Sequence, residues 1–256
     1  MTALQVYDAV LVELNKLKAP SMLLEDFNYF INKASQQYTN LAYTRLEVNQ
    51  QATDDLRVLK THFTAPLTKC TVEEDGYTTH YSVPLPMDYL HLCNCIVKYK
   101  AGSEKNACGK TNANLKAYPA RRLSVDMLPQ IISNAYLCPS KKRPYYYILN
   151  DNLKSETSPY PYEYCKSPIL QIYLGDTVSE APEIYCEYIK TPSEIELTRT
   201  QMNVTDVDTS QVLEFPDYVC YEIVNIIVRL VMENASDPRL QTNMPINNTI
   251  TGPSES

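Results

Sequence analysis

The chain has 256 residues, 44% of them hydrophobic, and a formal net charge of −7. That length and apolar content build a sizeable core, in one large domain or two small ones, and exclude a disordered chain. No apolar run reaches the ~20 residues that span a bilayer; the best, 223–232, carries Asn225 and Arg229. Residues 1–14 hold Asp8 and Glu13 and no basic start, so no secretory leader is expected and the chain reads as one made and kept in a cytoplasm. In that setting the eight cysteines read as free thiols, not disulfides. The Asn-x-Ser/Thr triplets at Asn203, Asn234 and Asn247 then read as chance matches. There are 21 tyrosines and no tryptophan, 17 prolines and 5 glycines. Tyrosine suits surfaces that become buried against partners, and it is equally a common strand former. Residues 98–143 hold ten Lys/Arg and only Glu104 and Asp126 as acids, a net +8, which leaves −15 elsewhere. A chain split in this way can bind copies of itself or a neighbour, opposite sign to opposite sign. It is a poor general nucleic-acid binder, since its overall charge repels phosphates.

Taken in chain order, residues 2–18 read as a helix, with Thr2 and Gln5 as a capping box and Leu4, Tyr7, Leu11 and Leu14 on one face. Pro20 ends it. Residues 22–48 form a second helix, with Leu23, Phe27, Phe30, Ile31, Ala34, Tyr38, Leu41 and Arg45 at helical spacing. The two pair as an antiparallel hairpin. The polar piece 49–60 extends this helix or starts a short third one. From Thr61 to about Pro192 the periods are short and tyrosine-rich. Asp75-Gly76 is a tight turn, followed by alternating Tyr77, Thr79, Tyr81, Val83 and Leu85. Residues 93–99, 144–149, 169–174 and 184–190 are further strand candidates. Residues 124–136 could be a short helix, weakened by Pro129. Long loops at 100–114 and 150–167 are suited to contacts with other molecules. Residues 215–234 carry the strongest helical pattern, with Pro216 in the first turn, Glu214, Asp217 and Glu222 toward the positive end, and Val219, Ile223, Ile226, Ile227 and Leu230 as the apolar stripe. A polar tail with Pro238, Pro245 and Pro253 follows.

The expected fold class is α+β. A helical hub (1–60 with 210–234) encloses a large β-rich, sandwich-like insertion (61–209), and an extended C-terminal arm (235–256) follows. The arm residues Arg239, Leu240, Met244, Pro245 and Ile246 would add contact area by ordering on binding.

Motifs that carry chemistry are scarce. Gly109-Lys110-Thr111 matches the end of a phosphate-binding loop, but six residues separate Gly102 from Gly109 where the motif needs four. Cys93 and Cys95 would share a face of a strand, with Cys108 following, yet no second Cys pair supplies a fourth ligand, and His80 and His91 lack finger spacing. Cys70, Cys138, Cys165, Cys186 and Cys220 are scattered, as core or edge residues are. There is no G-x-S-x-G element and no H-E-x-x-H helix. Glu73-Glu74-Asp75 coincides with the turn and reads as solvated. The chain is expected not to be an enzyme and to need no cofactor or metal. The basic residues Arg121, Arg122, Lys141, Lys142 and Arg143, with Tyr145, Tyr146 and Tyr147, form a candidate interface. Such a patch suits an acidic protein neighbour. The same composition can hold single-stranded nucleic acid by stacking and charge. A metal- or nucleic-acid-binding module built on these residues and the cysteines is therefore the alternative reading.

The layout resembles the head-to-tail connector, or adaptor, proteins of short-tailed bacteriophages, also called tail tubular protein A-like or portal-adaptor proteins. Pro84-Leu85-Pro86-Met87-Asp88-Tyr89-Leu90 running into Cys95-Ile96-Val97-Lys98-Tyr99 is similar to that family's turn-then-strand segment. Phe215-Pro216-Asp217-Tyr218-Val219 opening the last helix is similar too. The Tyr/Asn-rich style resembles the crAss-like gut phages. The resemblance covers the layout of about 230 residues and contains no diagnostic motif. It implies a virion structural protein, assembled in the bacterial host cytoplasm and sitting at the head-to-tail junction. It implies a ring, usually of twelve copies in that family, with the portal, other tail or connector proteins and further copies of itself as partners, and a C-terminal arm that reaches into the portal or an adjacent subunit. DNA would be only passing cargo in its channel, and no membrane would be involved. The β-rich part is large for a minimal adaptor, which fits a second-layer ring that holds tail proteins.

Overall fold

A computed structural model describes residues 1–16, 22–46, 48–70, 80–99, 116–124, 127–134, 136–149, 168–175, 182–202 and 209–235. The architecture is mixed α+β, with two compact units: Met1–Leu59 together with Thr191–Ser256, and Lys60–Lys190. No helix among the described residues is long and apolar enough to cross a membrane.

The first unit is helical. Helix α1 (Ala3–Lys16) begins at the expected capping box: the Thr2 amide donates to Gln5 Oε1 at 3.1 Å, and the Gln5 amide donates to Thr2 Oγ1 at 3.3 Å. Helix α2 (Leu24–Thr44) buries Phe27, Phe30, Ile31, Ala34 and Tyr38. Leu23 and Leu41, counted on its apolar face by spacing, are exposed instead. The polar piece that follows is a separate helix, α3 (Gln50–Asp55), capped by the Asn49 side chain and continued by a 3-10 turn, Leu56–Val58.

The last helix of the unit, α6 (Asp217–Asn234), follows the one-turn α5 (Arg199–Met202) and buries Val219, Cys220, Ile223, Val224, Ile227, Val228, Leu230, Val231 and Met232. This is wider than the single stripe that helical spacing suggested. Ile226, placed on that stripe, is only half-buried. A helix apolar on most sides must be enclosed. Both α1 and α2 lie closer to α6 than to each other. The anticipated α1–α2 hairpin is therefore a three-helix arrangement around α6, with Tyr7 and Phe27 meeting edge-to-face at 5.0 Å.

The strand-like segment 191–198, which the sequence assigned to the β-rich part, belongs to the helical unit. Two asparagines one helical turn apart on α2 hold it. Asn28 donates to the Leu197 carbonyl at 3.0 Å and accepts from its amide at 2.9 Å. Asn32 does the same to Ile195 at 2.9 and 2.8 Å. One helical turn rises 5.4 Å, close to two residues of extended chain, so the two carboxamides pair with alternate residues as a neighbouring strand would. Ile195 and Leu197 are buried, and Glu194 and Glu196 face out.

The second unit is a two-sheet sandwich. One sheet has the order β1 (Lys60–Pro66), β9 (Glu183–Lys190), β4 (Tyr89–Tyr99), β5 (Lys116–Pro119). The other has the order β2 (Thr68–Cys70), β3 (His80–Pro84), β8 (Ile169–Tyr173), β7 (Tyr145–Leu149), β6 (Arg121–Arg122). All pairings are antiparallel except β6 with β7. Tyr81, Val83, Leu170 and Ile172 from one sheet and Cys95, Val97, Tyr99, Ile184 and Cys186 from the other form one buried cluster. Helix α4 (Leu128–Ser133) is shorter than the stretch read from sequence, because Pro129 sits in its first turn. The expected 75–76 turn, with Tyr77 and Thr79, and the loops at 100–114 and 150–167 lie outside the described residues, as does Pro20.

A buried carboxylate ties the helical unit together. Asp55 accepts from Tyr38 on α2 at 2.9 Å and from Tyr218 on α6 at 2.6 Å. The bond to Asp55 pushes the Tyr218 hydroxyl up to about 12. Replacing Tyr38 by Phe strips a partner from a buried acceptor and is expected to cost about 1–3 kcal/mol in urea unfolding. Glu222, on α6, has a raised pKa, first from burial and then from Asp55, with Arg45 opposing. Its ionisation therefore opposes folding, and the loss of stability sets in as pH rises from the ordinary carboxylate value through the folded one. Glu222→Gln is expected to be more stable than the parent at pH 7, and the gap should close at pH 4. An equal gap at both pH values would contradict this.

Candidate functional site

The residues that sequence marked as a basic and aromatic patch come from two separated stretches. Sheet pairing brings them together. Strand β6 runs parallel to β7, with Arg121 opposite Tyr145 and Arg122 opposite Tyr146. The pairing extends beyond the strands: the Arg121 amide donates to the Pro144 carbonyl at 2.9 Å, and the Leu123 amide to the Tyr146 carbonyl at 2.8 Å. Both arginines are exposed on the outermost strand of this sheet.

Just before β7, Ser140 and Arg143 exchange backbone hydrogen bonds of 3.2 and 2.9 Å. Lys141 and Lys142 are therefore the two residues at the tip of a tight turn. Lys142 points to solvent. Lys141 lies back over the Tyr99 ring with its Nζ 4.8 Å from the centroid, a cation–π contact. The Arg143 guanidinium donates to the Tyr136 carbonyl. The chain before the turn is folded by Asn134, whose Oδ1 accepts from the Tyr136 amide at 2.9 Å and whose carbonyl accepts from the Cys138 amide at 2.8 Å. Among the described residues from Lys116 to Leu149 there are six cations and no acid. Like charges gathered on one edge raise its local positive potential.

The aromatic half of the expected interface needs correction. Tyr145 is 6% exposed and belongs to a small core with Leu123, Ile131 and Tyr173. Tyr146 and Tyr147 are half-buried; Tyr146 packs on the main sandwich core, and Tyr147 stacks on Tyr173 at 6.0 Å. Strand alternation turns successive side chains to opposite faces, so three consecutive tyrosines could not all face a partner. The exposed aromatic of this edge is Tyr136, at 88%, beside exposed Leu137. Neither was singled out from sequence, because a lone tyrosine at the end of a short helical pattern gives no signal of its exposure.

The candidate cysteine site separates in space. Between Leu92 and Asn94 the β4–β9 register shifts, which makes Cys93 a bulge residue. Cys95 faces Cys186 across the strands, and both are buried free thiols. Hydrogen bonding with Cys186 and burial raise the Cys95 pKa, which keeps it a thiol and a poor metal ligand. Cys108 and the Gly109-Lys110-Thr111 stretch lie outside the described residues. Among the described residues no group of three or more His, Cys, Asp or Glu converges on a point. The arm residues Arg239, Leu240, Met244, Pro245 and Ile246 also lie outside them.

No protein-family model matches the chain, and no curated protein matches it.

Gly175 sets the position of the basic turn. It has φ +81°, and a Cβ placed on it would lie 2.6 Å from the Pro139 carbonyl oxygen. Gly175→Ala combines a strained backbone with a backbone clash. It is expected to cost about 1–3 kcal/mol and to raise hydrogen exchange across 139–143. A variant that unfolds at the parental urea midpoint would contradict this packing.

Proposed function

We propose that the chain is a non-enzymatic structural subunit that assembles with copies of itself into an oligomeric ring. In this reading the ring is the head-to-tail connector of a short-tailed bacteriophage, of dodecameric type, and joins the portal to the tail around a DNA exit channel. The observation that carries the reading is the separation of charge between the two units. The helical unit holds 8 Lys/Arg and 17 Asp/Glu, a net −9. The sandwich unit holds 15 Lys/Arg and 13 Asp/Glu, a net +2, and five of those cations, Arg121, Arg122, Lys141, Lys142 and Arg143, lie on the β6 edge and the adjoining turn. Surfaces of opposite sign on different units of one chain favour a head-to-tail contact between copies. Such contacts close into rings or run on as filaments. A net negative subunit also suits a channel along which DNA slides without sticking.

The native mass of the purified chain, alone and beside the portal protein of the same genome, tests this. A ring-sized species in either case supports the reading, and electron-microscope images of it should show closed rings. A monomer in both contradicts it. Removal of residues 236–256 is expected to leave the urea midpoint nearly unchanged and to abolish joining to the portal or a neighbour. A truncated chain that assembles normally removes the arm from the account.

The basic edge also favours the alternative reading, in which it holds single-stranded nucleic acid. That reading expects a salt-dependent gel shift of a single-stranded oligonucleotide at physiological ionic strength. The connector reading expects none.

A further inference from the structure

The helical unit carries an open groove of about 470 Å³ on α2, beside the segment held by Asn28 and Asn32. Tyr29, Ser35, Gln36, Thr191 and Glu194 line it. Tyr29 is 62% exposed. The side chain of Ser35 is buried, and among the described residues its Oγ has no hydrogen-bond partner. Glu194 lines the groove, and Glu196 is the next acid along the same segment. Glu194 and Glu196 project outward from alternate positions of the extended segment, whose other side chains, Ile195 and Leu197, are buried against the unit. Lys33 is the one cation among the lining residues, and it is turned over the Tyr29 ring with its Nζ 5.6 Å from the centroid.

The basic turn of the sandwich unit has the complementary chemistry. Arg121 and Lys142 are exposed cations on one edge, and beside them stands the most exposed large hydrophobic or aromatic side chain of that edge, Tyr136. We propose that the occupant of the groove is this turn from a second copy of the chain. Arg121 and Lys142 meet Glu194 and Glu196, and the Tyr136 ring enters the groove beside Tyr29. The contact is heterologous, with different surfaces on the two copies, so each copy offers one turn and one groove and the chain of contacts can continue. The inference rests on the assembly reading above and names the two surfaces that would make it.

Two charge-reversal variants test it. One carries Arg121→Glu and Lys142→Glu, and keeps the groove. The other carries Glu194→Lys and Glu196→Lys, and keeps the turn. All four positions are exposed, so the fold should tolerate the changes. Native mass spectrometry reads the outcome. Each variant alone should remain monomeric at concentrations where the parent assembles. Mixed, they should assemble again into species of two or more 29.2 kDa chains, because the intact turn of one variant meets the intact groove of the other, and the reversed turn and reversed groove are again opposite in charge. Tyr136→Ala should raise the concentration needed for assembly by about tenfold or more, as loss of a buried aromatic anchor does. Variants that assemble like the parent would overturn these surfaces and leave the ring reading standing. A mixture that stays monomeric would overturn the heterologous contact. A parent chain that forms no oligomer, alone or with the portal protein, would overturn both.

Discussion

Helix α6 is the constraint on which the helical unit depends. Nine of its residues are buried, on more than one side. Each such side chain contributes roughly 1.5–3 kcal/mol when removed from water, so the helix is stable only when enclosed. The enclosing pieces come from far apart in the sequence. Helices α1 and α2 lie against it, and Phe215 just before it meets Tyr38 edge-to-face at 5.8 Å. The residues ahead of α6 are fixed to the start of the chain: the Ala3 amide donates to the Gln211 carbonyl and the Leu213 amide to the Met1 carbonyl, at 2.8 and 3.0 Å. The two chain ends therefore fold as one unit, and the sandwich is an excursion between them. Asp55 adds direction to this packing, since its two oxygens reach one tyrosine on α2 and one on α6.

The long helices were legible because their signals are local. The Thr2–Gln5 capping box, the spacing of Phe27, Phe30, Ile31, Ala34 and Tyr38, and the apolar run after Pro216 each act within a few turns of one helix. The strands at 145–149, 169–173 and 183–190 were legible from alternation and tyrosine content. Strand β1 was missed although Thr61, Phe63 and Ala65 alternate, because every second residue faces solvent and no large aliphatic marks it. The placement of 191–198 was not legible. An extended, Pro-led stretch looks like a strand, and only the two asparagines a turn apart on α2 decide which unit holds it. That pairing joins positions more than 160 apart.

The candidate site was legible in composition and not in geometry. Charge counting found the basic stretch, and the pairing of β6 with β7 explains why Arg121 and Arg122 sit beside the 140–143 turn. Counting could not tell inward from outward tyrosines, so Tyr145 was assigned to a surface it does not reach, while Tyr136 passed unnoticed. The cysteine alternative depended on Cys93 and Cys95 sharing a face, and one β-bulge removes that premise. What these residues support is recognition by charge and by exposed aromatic area, which sets partner choice and association rate more than raw affinity.

Sedimentation velocity of the purified chain across protein concentration and salt tests the central claim most directly, that copies associate through opposite charges on their two units. The account predicts a boundary that moves faster as concentration rises at low ionic strength, and returns toward a single 29.2 kDa chain as salt screens the contact. A single monomeric boundary at every concentration and salt, both alone and beside the portal protein, or an oligomer indifferent to salt, would contradict it.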